Sequence, residues 1–578
     1  MPLMVDGPMA GDVPASDLRA HSGVTCRLCH GIKSVSKDGN ASYAWSRAPL
    51  DAPTLGDAAS IAKHREQVSV KSLGTELCVG CHRGFLSPDM GEGMPVHLSG
   101  LDEPGVWRSS AWTGNGLARV DKVDKQTCID CHMEREPASS GEYAAKGGTI
   151  ASHRFLGGHT WMAAMRGDTE HLRRMQTKLA GVASIDIQPW RSEPKRVELD
   201  VVIRNLLVGH RFPGGVLDIQ DTWIEVEVRD ARGVRLGASG LHHATDPNDQ
   251  DTHVLRTLVV DEHGEVLEKH EMPRFRTQIA TQTLAPREAQ VIRYALDVPA
   301  SAVLPLTATA RLRHRSRTLA MQAEVCRAAK LPDGRAFLAG AKGAREVELD
   351  PCRAQPITLI AQTEVALDHP AADWERVYEH GMALTSTVSE RLDEARSVLE
   401  RALAIAPAGR GKAMVIVQLA QVASKQGRAD DALALVAQAR ALLPAPGPAV
   451  LDAIASDALM RVWRWQEATV PSAAAAAKAP GNAYAWTMAA RCFGSINDNT
   501  AALAAASTGL ELAPRDPDLL RSQATALAAL GRPEADAALA AYDRFRSPDN
   551  SAELRISCAA DSPRCARERE SGHTHVLR

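Results

Sequence analysis

Cys26-Arg-Leu-Cys29-His30, Cys78-Val-Gly-Cys81-His82 and Cys128-Ile-Asp-Cys131-His132 repeat one pattern near the front of a 578-residue chain. Two thiols two residues apart, followed at once by an imidazole, have the spacing of c-type haem attachment. The chemistry explains the residue types. The thiols reach the two vinyl groups of one porphyrin and form thioethers, and the adjacent histidine is held where it can bind iron. Structural zinc would match each thiol pair with a second pair of ligands, and it leaves the trailing histidine unexplained three times over. A redox-active dithiol needs only one such pair, in a strand-to-helix setting that this segment lacks. The reading is therefore three covalently attached c-type haems, bound through Cys26, Cys29, Cys78, Cys81, Cys128 and Cys131, with His30, His82 and His132 as proximal ligands.

Nine of the 20 histidines precede residue 175, and six of these are not proximal: His21, His64, His97, His153, His159 and His171. A low-spin electron-transfer haem takes a sixth ligand, usually His or Met. His64, His97 and His153 are the preferred distal candidates, with His159 next and Met90, Met94 and Met133 as substitutes. Each histidine also has a plain reading as a surface or hydrogen-bonding residue. Trp107, Trp112, Phe155 and Trp161 suit haem faces or an ordinary core equally.

The 67 Lys+Arg and 70 Asp+Glu leave a formal charge of -3. No excess of cation exists to displace counterions, so nucleic acid is not the expected partner. No apolar run approaches the roughly 18 residues of a membrane helix. Residues 1–25 carry no basic n-region and no apolar h-region, so no signal peptide is visible in the sequence as written. Yet covalent haem attachment is carried out on the exported side of the membrane, as the family known for this motif implies, so an exported protein is expected. A late start codon or a missing leader would reconcile the two, and a cytoplasmic apo-protein is the competing reading.

Four segments follow from composition and period. Residues 1–180, rich in Gly, Pro and polar turns, form a trihaem cytochrome domain, irregular and mainly α, closed by a helical pattern over His159–Leu179. Residues 184–365 alternate apolar and polar side chains at Val197–Ile203, Trp223–Arg229, Val291–Leu296 and Leu306–Leu312, the mark of antiparallel strands in a β-sandwich. Residues 374–550 are helical and repetitive: Ala395, Leu399, Ala402, Pro407; Ala432, Val436, Ala439, Pro444; Ala468, Ser472, Ala475, Pro480; Ala502, Ala506, Gly509, Pro514. Small residues at i, i+4 and i+7 thin one helix face, and proline ends each unit. The period matches a tetratricopeptide-like solenoid, with an Ala-rich bundle as the alternative and a decayed unit or cap over 516–548. Residues 551–578 are a C-terminal tail. Cys326 with Cys352, and Cys558 with Cys565, are candidate disulfides of an oxidising compartment. Cys492 reads as a buried apolar residue. The loop bearing His242, His243, Asp246, Asp249, Asp251 and His253 reads as solvated rather than as a metal site.

Across these segments, the chain resembles the multihaem c-type cytochromes of the cytochrome c-552/4-like family, some of which carry C-terminal tetratricopeptide repeats. The resemblance rests on the three attachment motifs, on Trp107-Arg-Ser-Ser110, Met133 and Ser152-His153-Arg-Phe155, and on Asn205 followed by Gly209-His210-Arg-Phe-Pro-Gly214. It implies a periplasmic electron carrier with mostly bis-histidine haems. It also makes His210 a candidate ligand, against a structural role in the turn before Pro213. Enzymatic relatives carry more haems and a special catalytic site, neither of which is found here. The expected function is thus electron transfer through three haems, with the repeats docking a redox protein partner and no catalytic residue assigned. A multihaem oxidoreductase acting on a small nitrogen or sulfur oxyanion is the alternative, and a scaffold built on the repeats is a third reading.

Overall fold

A computed structural model describes the chain from residue 14 onward, apart from 15–16, 22, 38, 47–50, 55, 69–73, 88–96, 115–122, 194, 247–251, 346–347, 369–372, 387–389, 547–549 and 570–571. Met90, Met94, Asp249 and Asp251 lie outside the described residues. The chain divides into two compact units, each discontinuous in sequence: 1–84, 126–179 and 315–357, and 85–125, 180–314 and 358–578.

The first unit consists of short elements with little apolar packing. Its helices include Cys26–His30, Ala58–Gln67, Glu76–His82 and Cys128–His132, with small hairpins at Ile32–Val35/Tyr43–Trp45 and Arg135–Pro137/Thr149–Ala151. The helical pattern over 159–179 is two helices, Thr160–Met165 and Thr169–Leu179. Gly167 takes φ +67° between them, a left-handed conformation that stops the first, and Asp168 accepts from His171 N (3.0 Å) to start the second. Leu156, Ala163 and Met175 make a small buried cluster with Leu172. Ser316 Oγ donates to Gly158 O (2.7 Å) and accepts from Trp161 N (3.0 Å), joining 315–357 to these helices. A disulfide links Cys326 and Cys352.

The second unit carries two four-stranded sheets and a run of helices. One sheet has the order Thr574–Val576, Ala289–Asp297, Arg196–Asn205, Ala183–Glu193; the other has Arg235–Ser239, Asp221–Arg229, Thr307–Arg315, Thr358–Ala366. Arg196–Asn205 is buried along almost its whole length, with Val201 and Ile203 fully enclosed. The helix Trp374–Thr385 packs on the first sheet, placing Tyr378, Met382 and Leu384 in one core with Val202, Ala289 and Val291. Buried charges reinforce this contact. Asp200 accepts from Arg293 Nε and Nη2 (2.7 and 2.8 Å) and from His380 Nε2 (2.8 Å), and Arg293 also donates to Glu394 (2.8 Å).

Among the described residues from Trp374 to Phe545, ten helices follow in pairs joined by short turns. The small-residue frame lies on the second helix of each of the first four pairs. Ala395, Ala402, Ala432, Ala439, Ala468, Ala475 and Ala506 are all fully buried. A side-chain carbon at Gly509 would stand 2.7 Å from a Leu519 methyl, so a larger residue there would have to displace the end of that side chain. The fifth pair, Pro517–Ala529 and Ala535–Phe545, leaves Asp536 exposed and buries Ala538 instead. Cys492 is fully buried, and Cys558–Cys565 form a disulfide.

Candidate metal centre

Each cysteine motif occupies one short helix. A helical turn brings residues i, i+3 and i+4 to one side, so both thiols and the following imidazole share a face. The third helix is begun by a capping box: Asp130 N donates to Thr127 Oγ1 (3.3 Å) and Thr127 N donates to Asp130 Oδ2 (2.8 Å). The first is braced by Trp45, whose Nε1 donates to Arg27 O (3.0 Å) while the Arg27 guanidinium stands 4.4 Å from its ring centre. A side chain at Gly31 would come within 2.7 Å of that indole nitrogen.

The motifs meet through sulfur. Burial pushes the Cys29 thiol up, and the neighbouring Cys81, Cys78 and Cys26 push it further. A hydrogen bond between the Cys78 and Cys128 thiols holds Cys78 down and raises Cys128. None of the six is in a disulfide. The imidazoles converge too. Burial keeps His82 and His132 below the usual histidine range, and the proximity of His132 lowers His82 further. His159 is lowered to about 4 by burial, then by His171, His132, Arg317 and His82.

Ring orientation is fixed by backbone carbonyls. Nδ1 of His30 lies 2.6 Å from Val68 O, that of His132 2.9 Å from Leu156 O, and that of His64 2.6 Å from Asp51 O. An Nδ1–H donating to a carbonyl sets the tautomer that offers Nε2 to a metal, the usual support of a ligating histidine. The rings of His30 and His153 are 6.2 Å apart, and His153 is solvent-exposed beside Phe155. Two imidazoles on opposite sides of one metal, with bonds of about 2.0 Å, have ring centres separated by about 6 Å. His159 lies 6.3 Å from His171.

The first unit therefore gathers the six cysteines with His30, His64, His82, His132, His153 and His159. His97 and His210 belong to the second unit. Of His97 only its place at the head of the strand His97–Asp102 is described. His210 stands in a built turn: its Nδ1 is 2.9 Å from Arg211 O, its carbonyl accepts from Asn205 Nδ2 (3.0 Å), and Asn205 Oδ1 accepts from Val208 N (3.0 Å). In the same unit Glu103 Oε1 accepts from Gly215 N (2.5 Å), and burial raises its carboxyl to about 7. The supporting carbonyls of Val68, Leu156 and Asp51 left no trace in the sequence, because any residue type supplies a carbonyl.

One expectation needs correction. The loop after Leu241 is not simply solvated: His243 turns inward and pairs with buried Asp221 (2.9 Å), and His253 is 4% exposed. The interior polar partner explains the first. Among the described residues, no three or more His, Cys, Asp or Glu side chains are arranged to hold an ion by themselves. A porphyrin supplies four iron ligands of its own, so a haem asks only one or two imidazoles of the protein.

No family model matches the chain, and no curated protein does. Among solved structures it is similar to a penta-heme cytochrome c552 from Thermochromatium tepidum, with 16% identity over 59% of this chain and 76% of that one, at a TM-score of 0.34. It is also similar to MamA from Desulfovibrio magneticus RS-1, with 15% identity over 33% of this chain and 100% of that one, at a TM-score of 0.25. Likenesses this loose leave the chemistry to the chain's own residues.

Proposed function

We propose that the chain is a multihaem c-type cytochrome that carries electrons through three covalently attached haems in an exported compartment. The observation that supports this most is the gathering of three Cys-x-x-Cys-His helices in one unit, close enough for their thiols to perturb one another. The sparse apolar core of that unit fits a fold completed by porphyrins. Cys26 and Cys29, Cys78 and Cys81, and Cys128 and Cys131 hold the groups, and His30, His82 and His132 are the proximal ligands. Bound haem supplies one-electron redox chemistry at iron.

The protein's part is to bind, orient and exclude water. Val68 and Leu156 carbonyls aim His30 and His132. Burial keeps His82 and His132 neutral, the form that ligates. His153, whose ring centre lies 6.2 Å from that of His30, serves as the distal ligand of the first haem. His64 and His159 are the remaining distal candidates within the unit, and His97 and His210 are further candidates. The helical repeats dock a redox protein partner. The mass of matured, exported protein, read with a haem stain, tests the core of this reading. A mass increase of three haems is expected, and colourless protein carrying only metal would overturn it.

A further inference from the structure

The last strand, Thr574–Val576, lies parallel to Ala289–Asp297, opposing Arg293, Tyr294 and Ala295, and forms the edge of its sheet. The chain then crosses to the other sheet. Leu577 N donates to Ala295 O (2.9 Å), Arg578 N donates to Ala238 O (3.0 Å), and Ala238 N donates to Arg578 O (2.8 Å). Gly237 makes room for this crossing, since a side-chain carbon there would stand 3.0 Å from Leu577. Residues 572–578 thus tie the two sheets together along one margin.

Histidines underlie the tie. His575 is buried and stacks on fully buried Tyr294, with ring centres 5.0 Å apart. His573 lies 4.3 Å from His575. His253, from the segment whose carbonyl accepts from Ile224 N (3.1 Å), meets His575 edge-on at 5.5 Å. Among the described residues neither ring nitrogen of His253 has a hydrogen-bond partner. Among the described residues, the groups around it offer no free anion. The terminal strand brings His573 and His575, and Ala289–Asp297 brings Tyr294 and Arg293, the latter engaged by Asp200 and Glu394. Asp221–Arg229 brings Asp221, already paired with His243, and Arg391 donates to Gly572 O (2.5 Å). Among the described residues, a proton placed on buried His253 therefore finds neither a hydrogen-bond acceptor nor a counter-charge.

We propose that residues 572–578 are an acid-released strap, held across the two sheets while His253 is neutral and freed when it takes up a proton. The direction follows from linkage. Burial, then His575 and His573, hold His253 well below the ordinary histidine value. The released state accordingly binds more protons, so docking is complete above a pH of about 6.5 and weakens as pH falls below it, by about tenfold at one unit lower. Release bares the edge of Ala289–Asp297, a ready template for another strand.

Hydrogen exchange on the full, haem-loaded chain tests this without reference to the haems. Protection of the Leu577, Arg578 and Ala238 amides, corrected for intrinsic rates, is expected to fall about tenfold from pH 7.5 to 5.5, while that of Ala420 in the helix Arg410–Lys425 holds. His253→Phe and His253→Gln should both abolish the fall, and either one that folds suffices. Equal protection at the two pH values in the unaltered protein overturns the proposal, as does a fall that the folded variants retain.

Discussion

Replacing Arg293 by Met examines the joint between sheet and helical repeats. Asp200 is fully enclosed, and two of its three hydrogen bonds come from Arg293. Burial alone would raise its carboxyl, yet bonds from Arg293 and His380 more than reverse this and hold it below the ordinary range. Arg293→Met leaves an ionised carboxylate with His380 as its remaining partner. Stranding a buried charge costs about 3–5 kcal/mol, and the retained His380 bond places the loss near the lower end, about 3 kcal/mol. The guanidinium also sits 4.5 Å above the Trp190 ring, a contact worth about 1 kcal/mol. The expected total is about 4 kcal/mol, read by exchange of the Arg196–Asn205 amides in mildly denaturing urea. Asp200→Leu combined with Arg293→Met removes the stranded charge and should recover about half of the loss. The sign with pH is fixed: a lowered carboxyl stabilises at neutral pH, and that contribution disappears as pH drops below about 4. A single-variant loss under about 1 kcal/mol, or additive single and double variants, would refute the view that this network joins the elements.

His153→Ala should turn one haem of three high-spin in low-temperature spectra while two keep low-spin signals; three unchanged signals would remove His153 as a ligand. Ala475→Leu inserts bulk into a core of Ala476, Ala485, Ala489 and Ala505 and should destabilise the repeats by about 1–3 kcal/mol in a urea melt. Glu103, raised to about 7, binds its proton more tightly folded than unfolded, so stability should decline as pH rises from about 4.5 to 7. Glu103→Gln is expected to flatten that decline, measured as thermal midpoints across the interval, because the amide can still accept from Gly215.

Much of the architecture is periodic and therefore legible. Alternation marked strands such as Arg196–Asn205, because a sheet presents side chains to opposite faces in turn. Small residues at helical spacing marked Ala395, Ala432, Ala468 and Ala502, because close helix approach tolerates nothing larger. The three Cys-x-x-Cys-His motifs were legible as short local units because each spans a single helical turn. Relations between distant residues were not. Nothing around His243 announced Asp221 as its partner, and nothing near His30 announced Val68. The grouping of 315–357 with the motif helices follows from bonds such as Ser316 to Gly158, which join segments about 160 positions apart. Even the helix break at Gly167 depends on a backbone angle that the apolar pattern conceals.

That one sheet takes its outer strand from residues 574–576 makes the helices from Trp374 to Phe545 an insertion within a β fold, rather than an appendage to it. Synthesis must run through every helix before that sheet can be finished, so the sheet's last step waits on the solenoid. Stopping the chain at 373 would remove both together, and any defect seen would have two authors. A cleaner excision would join the end of Thr358–Ala366 directly to the segment beginning at Ser551, sparing the edge strand while dispensing with the repeats.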